Sequence, residues 1–166
     1  MTLLFGFDPG TIVTGFALIR MAGNGLELID YGCIRPPARY KLSDRYVILY
    51  EAVCNLLNKY PADSAAIETQ FVSKNPQSAI KLGMARGMIL LPIKQNGLSL
   101  YEYAPKKAKL AATGSGTASK QQVQRMMQLL FRLPKLPEPE DAADALAIAV
   151  CHAHALQTKE ALGIEV

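Results

Sequence analysis

The stretch that decides the fold is EDAADALAIAV, residues 140–150. Alanine and aliphatic side chains dominate it, which predicts an α-helix. No Lys, Arg, Asp or Glu occurs from Ala145 to Thr158, and a helix that is apolar on nearly all of its faces is normally buried. We therefore expect a buried helix around which the rest of the chain is organised.

Two aspartates lie on the first turns of this predicted helix. Asp141 and Asp144 are three residues apart, so their side chains share one helix face, about 5–6 Å apart. Acidic residues also favour a helix N-terminus because they complement its dipole, and Pro137 and Pro139 fit a helix start here. The helix dipole explains Asp141 better than it explains Asp144. Asp144 heads a wholly apolar helix, and a desolvated carboxylate needs a cation or hydrogen-bond donors. This stretch alone leaves open both a functional acidic pair and a plain helix start.

The composition indicates a globular protein of one domain. Of the 166 residues, 50% are hydrophobic and 19% are charged, which permits a buried core and excludes a disordered chain. No apolar run reaches the ~18 residues of a membrane span, and residues 1–5 lack the basic start of a signal peptide. The three cysteines, Cys33, Cys54 and Cys151, are far apart in apolar surroundings, which indicates reduced thiols in a cytoplasmic protein.

Charge is unevenly distributed along the chain. The net charge of +4 weakly favours an anionic partner. From Tyr103 to Pro137 there are seven Lys or Arg residues and no acid, and from Glu138 to Asp144 there are four acids. Phosphate contacts beside metal-binding carboxylates would produce this layout, although ordinary solvated faces would also produce it.

Hydrophobic periodicity predicts an α/β domain. The order of three strands, helix, strand, helix, strand and further helices predicts a mixed five-stranded sheet flanked by helices, because helical crossovers join parallel strands. We expect one domain over residues 1–158 and a frayed tail at 159–166. Pro92 should kink or shorten its helix. The predicted strands are residues 3–8, 14–20, 26–34, 64–68 and 98–103, and the predicted helices begin near residues 42, 76, 106, 119 and 140.

Three local patterns refine these elements. Gly23-Asn24-Gly25 supplies a turn that makes the second and third strands a hairpin. Ser119 and Gln122 have the spacing of a capping box at a helix start. His152 and His154 are two apart on the apolar helix and therefore on different faces, so we expect core or partly buried histidines rather than metal ligands.

Two further acids are predicted at strand ends. Asp8 ends the first strand and Glu68 ends the fourth, and ligand sites in open α/β sheets lie beyond the carboxyl ends of strands. If the helix with Asp141 and Asp144 lies over the same edge, four carboxylates converge. Oxygen ligands without a His or Cys cluster indicate Mg²⁺ or Mn²⁺, and two such ions ~3.5–4 Å apart can clamp the oxygens of a phosphodiester displacement. The convergence itself does not follow from the sequence.

Basic and aromatic residues fit the same hypothesis. Lys109 and Lys120 flank the glycine loop 113–117, and Lys120 opposes the dipole of the helix it begins, so it suits a phosphate better than it suits local stability. An ordinary surface lysine is the alternative. Phe71 lies three residues after Glu68 in a polar loop, where it would either stack on an unpaired base or pack beneath the loop.

Taken together, the motifs resemble a known family. They are GFDPG at residues 6–10 with Thr14-Gly15, AIE at 66–68, NPQSAIKLGMARG at 75–87, GSGTASK at 114–120 with Gln122-Val123, and DAADALA at 141–147. In this order, over nearly the whole chain, they are similar to the RuvC Holliday junction resolvases. Each motif is modest alone, and the combination is highly specific.

The resemblance implies an RNase H-like fold and a homodimer that resolves four-way (Holliday) DNA junctions by paired symmetric nicks, in homologous recombination and DNA repair. In relatives, the helix that corresponds to the one beginning at Pro76 forms the dimer contact. In this chain, Pro92 departs from the family pattern and should bend the end of that helix. The resemblance also suggests work with branch-migration proteins of the RuvA and RuvB type. Ala108 replaces the family's usual valine before the lysine, which is a packing change.

The resemblance further implies a catalytic, metal-binding set of acids that holds two Mg²⁺ ions, with Mn²⁺ able to substitute. DNA contact carries over to Lys109 and Lys120, and base stacking at the junction centre carries over to Phe71. The position of Asp141 is Asp or His among relatives. The implied acidic set is Asp8, Glu68, Asp141 and Asp144.

Three alternative functions share some of these features. Another RNase H-like nuclease, for example one that processes RNA, would use the same acids. A non-catalytic junction-binding module would gain from losing four carboxylates near phosphates. A sugar kinase or actin-like ATPase also has an Asp-x-Gly phosphate hairpin, but 166 residues leave no room for its second lobe.

Overall fold

The computed structural model of this chain describes residues 1–23, 25–69, 75–158 and 163–166. It confirms an α/β architecture with helices on both faces of a mixed sheet. In chain order, the elements are β1 (Thr2–Asp8), β2 (Thr14–Ala22), β3 (Gly25–Ile34), α1 (Leu42–Lys59), β4 (Ser64–Glu68), α2 (Pro76–Gln95), β5 (Ser99–Tyr103), α3 (Pro105–Thr113), α4 (Lys120–Leu130), α5 (Glu140–Thr158) and β6 (Ile164–Glu165).

The sheet has the strand order β3-β2-β1-β4-β5-β6. The predicted hairpin is confirmed, since β2 and β3 pair antiparallel, and β1 extends the same meander. Strands β1, β4 and β5 are parallel to one another because α1 and α2 carry the chain back between them. The carboxyl ends of these three strands therefore meet at one edge of the sheet.

The sheet separates two hydrophobic layers. On one face, Phe5, Phe7 and Ile67 pack beneath α1 and α2. On the other face, alternate residues of the same strands, such as Leu4 and Ala66, pack against α5 and its neighbours α3 and α4. This alternation follows from the two-residue period of a strand. It assigns Asp8 and Glu68, each one residue beyond Phe7 and Ile67, to the α5 face.

Helix α5 is the buried helix predicted from its alanine-rich sequence. Almost every residue from Ala142 to Ala153 is buried. The helix lies directly on β1 and β2 at two glycines: a Cβ on Gly6 would fall 2.4 Å from the Ala145 carbonyl oxygen, and one on Gly15 would fall 1.9 Å from that of Asp141. No side chain fits between helix and sheet at these points, so the two glycines set how closely α5 approaches.

The predicted number of strands needs correction. The sheet has six strands and not five, because Ile164–Glu165 pair antiparallel with β5. This strand lies within the predicted C-terminal tail, of which residues 159–162 lie outside the described ranges. Gly163 explains the return of the chain, since a Cβ there would fall 2.1 Å from the Glu102 carbonyl oxygen.

Helix α2 continues to Gln95 with Pro92 inside it, so the predicted shortening does not occur. The Pro92 carbonyl still accepts the Asn96 backbone N–H at 3.1 Å and the Asn96 side-chain amide at 2.9 Å. Those bonds complete the last turn beyond the proline. None of the helices within the described residues combines the length and the apolar character needed to cross a lipid bilayer.

Candidate active site

Asp8 and Glu68 lie at matching ends of two neighbouring parallel strands. The last pair between β1 and β4 is Phe7 with Ile67, so both acids come one residue after it. Phe7 and Ile67 are completely buried beneath α1 and α2, and successive side chains of a strand point to opposite faces. Both carboxylates therefore project on the α5 side, at the same level of the sheet.

The start of α5 brings two more acids to this edge. Gln124 of α4 donates its side-chain amide to the Pro137 carbonyl at 3.1 Å, which holds the segment before α5 against α4. The Ala142 N–H donates to the Pro139 carbonyl at 3.0 Å and begins the helix. The Asp141 backbone lies against Gly15 of β2. These contacts fix the first turns of α5 over the strand ends, with Asp144 on the second turn.

All four predicted acids line one cavity of about 300 Å³, together with both predicted lysines. The structure thus brings together residues that are up to 136 positions apart in the sequence. Its lining residues are Asp8, Pro9, Glu68, Pro105, Ala108, Lys109, Lys120, Asp141, Asp144 and Ala147.

Burial and the repulsion between neighbouring carboxylates raise the pKa values of three of these acids. Burial, followed by the carboxylates of Glu68, Asp144 and Asp141 in that order, raises the pKa of Asp8 to about 8. Burial also raises the pKa of Glu68 to about 7, with a smaller contribution from Asp144. The pKa of Asp144 is raised as well, chiefly by burial. The group therefore cannot hold its full negative charge near neutral pH unless cations balance it.

Two lysines supply part of that positive charge. Lys109 and Lys120 both lower the pKa of Glu68 and of Asp144. Lys120 is the first residue of α4, after the predicted capping box, which is confirmed in both of its hydrogen bonds. Its Nζ lies 3.0 Å from Glu140 Oε2, with both side chains half or more exposed. The positive charge of Lys120 at the N-terminus of α4 is thus balanced by the negative charge of Glu140 at the N-terminus of α5.

The donor set suits a hard divalent cation. The cavity offers carboxylate oxygens from three elements and neither thiolate nor imidazole, the ligand chemistry of Mg²⁺ or Mn²⁺. As they stand, no three His, Cys, Asp or Glu side chains in the described residues are grouped closely enough to hold a metal ion. All four acids nevertheless line the same cavity.

Two supporting residues were missed by the sequence analysis. Arg45 of α1 donates to the Thr11 carbonyl at 2.6 Å, which holds the loop that follows Asp8. The Cys33 thiol lies close enough to Asp141 and Asp8 for their charges to help burial raise its pKa to about 11. Neither residue stands out in the sequence, because each is remote from the acids along the chain.

The remaining candidates separate into different environments. His152 is fully buried, as predicted, whereas His154 is exposed and so does not join the core. Phe71 lies outside the described residues. Cys33, Cys54 and Cys151 are free thiols.

Comparison with known proteins identifies the family of this chain. Residues 4–152 match the family model for crossover junction endodeoxyribonuclease RuvC. The protein of that description from Protochlamydia amoebophila is 55% identical over 151 residues, which cover 91% of this chain and 90% of the relative. That from Halothermothrix orenii is 43% identical and covers 97% of this chain and 98% of the relative.

Solved structures give the same result. The structure of T. thermophilus RuvC in complex with Holliday junction substrate has a TM-score of 0.91 at 27% identity, covering 99% of this chain and all of that one. The yeast mitochondrial resolvase Ydc2, at 14% identity and a TM-score of 0.63, shares the fold. The predicted RNase H-like fold is confirmed by these matches. This chain belongs to the RuvC family of crossover junction endodeoxyribonucleases.

Proposed function

We propose that this protein resolves four-way DNA junctions by metal-dependent phosphodiester hydrolysis. The observation that carries the proposal is the cavity that four acids share, in which burial and neighbouring carboxylates raise the pKa values of Asp8, Glu68 and Asp144. A fold gains no stability from such a group. Its arrangement is explained if divalent cations bind there together with a phosphate.

The acids differ in the part each would take. Asp8 is the acid whose pKa is affected by all three others, so it lies at the centre of the group and is the residue best placed to share two cations. Glu68 and Asp144 would complete the ligand sphere from opposite sides, one on the sheet and one on α5. Asp141, at the start of α5, would complete it or orient a water molecule.

Bound Mg²⁺ ions, two per site in our proposal, would neutralise the scissile phosphate and acidify the attacking water. Lys109 and Lys120 would hold the phosphodiester against the acids, since phosphate contacts position DNA without reading its sequence. In-line attack expels the 3′-oxygen, so the products carry a 5′-phosphate and a 3′-hydroxyl and remain ligatable. Phe71 would stack on an unpaired base near the junction centre.

Paired nicks in opposing strands require two active sites, which we propose a homodimer supplies. Ile80, Met84 and Leu91 follow one stripe of α2 and are 63%, 50% and 45% exposed. Such an apolar stripe on a helix favours contact with a second copy. Joint action with RuvA- and RuvB-type proteins rests on the family resemblance alone.

The test is cleavage of a fixed synthetic four-way junction, with the nicks mapped on all four strands. We expect paired symmetric nicks in Mg²⁺ or Mn²⁺ and none with chelator. Asp8→Asn should bind the junction and fail to cut it, while Glu51→Gln, an exposed acid on α1, should cut normally. Equal cutting of linear duplex or hairpin RNA, or full activity of Asp8→Asn, would overturn the proposal.

A further inference from the structure

A buried histidine joins three elements on the side of the sheet that carries the acids. His152 of α5 has no exposed surface. Its Nε2 lies 2.8 Å from the Ser64 hydroxyl of β4, and its Nδ1 lies 2.8 Å from the Tyr103 hydroxyl of β5. Its ring packs on Tyr101, with centroids 4.9 Å apart. Both ring nitrogens are thus partnered, and α5 is bonded to two neighbouring strands.

These hydrogen bonds lie at a defined distance from the acids. Ser64 and Glu68 are the first and last residues of β4, four steps of ~3.3 Å or about 13 Å apart. Asp144 and His152 are eight residues apart on α5, about 12 Å along the helix axis. Because His152 contacts Ser64 while Asp144 shares the cavity of Glu68, α5 runs antiparallel to β4 with nearly equal spacings on both elements.

A directional contact between α5 and the central strands adds to the contacts that hold its first turns, because part of this interface consists of small side chains. Ala145 and Ala149 of α5 rest on Gly6 of β1, and Ala155 belongs to the same buried cluster as Ala66 of β4. Small side chains of one kind can pack against the sheet at several registers of the helix with similar contacts. Two hydrogen bonds to fixed strands can form at a single register. A shift of α5 by a fraction of a turn would carry Asp144 away from Glu68.

We propose that His152 is a positioning residue of the nuclease: through Ser64 and Tyr103 it sets the register of α5 along β4 and thereby the separation of Asp144 and Glu68. This inference rests on the proposed role of those two acids as metal ligands. Burial lowers the pKa of His152 to about 4, so the ring is neutral at physiological pH. A neutral ring has one donor and one acceptor nitrogen, and the two hydroxyls can satisfy both.

The competing explanation is a buried histidine that contributes stability and nothing else. The two explanations differ in what happens to metal binding in folded protein. If His152 positions Asp144, replacing it with Leu weakens Mn²⁺ binding about tenfold, the lower end of the range for residues that support metal ligands. If it only stabilises the fold, the melting temperature falls and Mn²⁺ binding is unchanged.

The experiment measures Mn²⁺ binding by electron paramagnetic resonance of the free ion, with melting temperature and nicking rate measured in parallel. The variants are His152→Leu, His152→Gln, Ser64→Ala and Tyr103→Phe, and all assays run well below the lowest melting temperature. Val53→Ala, which opens a cavity in the opposite layer, is the destabilised control. We expect His152→Leu and Ser64→Ala to bind Mn²⁺ more weakly than the unaltered protein. His152→Gln should bind Mn²⁺ more tightly than His152→Leu, and Val53→Ala should bind it as tightly as the unaltered protein.

Coupling between the variants gives a second readout. Ser64→Ala should add little to His152→Leu, because both break the same bond. If His152→Leu fails to fold, the two hydroxyl deletions still decide the question. Unchanged Mn²⁺ binding in both deletions would overturn the positioning role while leaving the proposed function intact. Failure of the unaltered protein to bind Mn²⁺ or to cut junctions would instead refute the proposed function.

Discussion

Lys120 Nζ lies 3.0 Å from Glu140 Oε2, so the first residue of α4 is tied to the first residue of α5 at the mouth of the acidic cavity. Both side chains are half or more exposed, and an exposed ion pair of this kind contributes about 0–1 kcal/mol to stability. Its effect on charge is more important, because Lys120 also lowers the pKa of Glu68 and Asp144.

Lys120→Ala should therefore weaken junction binding without unfolding the protein. Loss of one phosphate contact reduces the magnitude of the negative slope of log affinity against log salt concentration by about 1. Glu140→Gln should bind at least as tightly as the unaltered protein, since it frees Lys120 from its acidic partner. Fluorescence anisotropy with a labelled junction in chelator measures both. Lys94→Ala, at the end of α2, is the control, and equal weakening by Lys94→Ala would contradict a specific role for Lys120.

The raised pKa of Asp8 predicts a pH-dependent cost to the metal-free fold. The folded protein keeps this proton up to about pH 8, whereas the unfolded chain releases it near the ordinary value of 3.8. Between those values the folded state binds more protons, so its stability falls as pH rises. Asp8→Asn should remove this cost and raise the free energy of unfolding in chelator at pH 8 by about 1–3 kcal/mol. Urea denaturation from pH 4 to pH 8 measures the difference.

Added Mg²⁺ should stabilise the unaltered protein more than it stabilises Asp8→Asn. If Mg²⁺ binds the folded acids as proposed and does not bind the unfolded chain, millimolar Mg²⁺ should raise the melting temperature of the unaltered protein at pH 8. Asp8→Asn should show a much smaller rise. Equal stabilisation of both proteins by Mg²⁺, measured by differential scanning fluorimetry, would argue that the ion binds elsewhere.

Gly15→Ala tests how tightly the acids depend on the approach of α5 to the sheet. The added Cβ would fall 1.9 Å from the Asp141 carbonyl oxygen, so the first turn of α5 must move. We expect a loss of about 1–3 kcal/mol of stability, as for other overpacked sites, together with a loss of cleavage in the protein that remains folded. Gly25→Ala, where the nearest atom is 3.7 Å away, should have little effect on cleavage.

The sequence was sufficient for every described element except β6, and for the acids at the ends of β1 and β4. The turn at Gly23 and Gly25, the capping box at Ser119 and the unbroken apolar run after Asp144 are local patterns, and local patterns survive in the structure. Strand ends at Asp8 and Glu68 followed from the same reasoning. The family resemblance then linked these separate acids to one site.

What the sequence could not supply was the contact between distant residues. The bond from His152 to Ser64 spans 88 positions, and that from Arg45 to Thr11 spans 34. Neither pair has a periodicity or a motif that would link its members. Strand β6 was missed because two residues, Ile164–Glu165, carry no alternation. Their pairing depends on the close approach of Gly163 to Glu102, which only the folded backbone defines.

The last prediction concerns the exposed stripe of α2. Ile80 is 63% exposed and lies one turn before Met84, so an aspartate at position 80 would leave the core of the protomer untouched. If α2 joins two copies, Ile80→Asp places a charge in an apolar contact and should convert the dimer to monomer, with loss of paired nicks. Val47→Asp adds the same charge at a 54% exposed site on α1 and should remain dimeric. Analytical ultracentrifugation over a range of protein concentrations measures the difference. An unaltered protein that is monomeric at all concentrations, or an Ile80→Asp variant that dimerises normally, would place the dimer contact elsewhere or remove it.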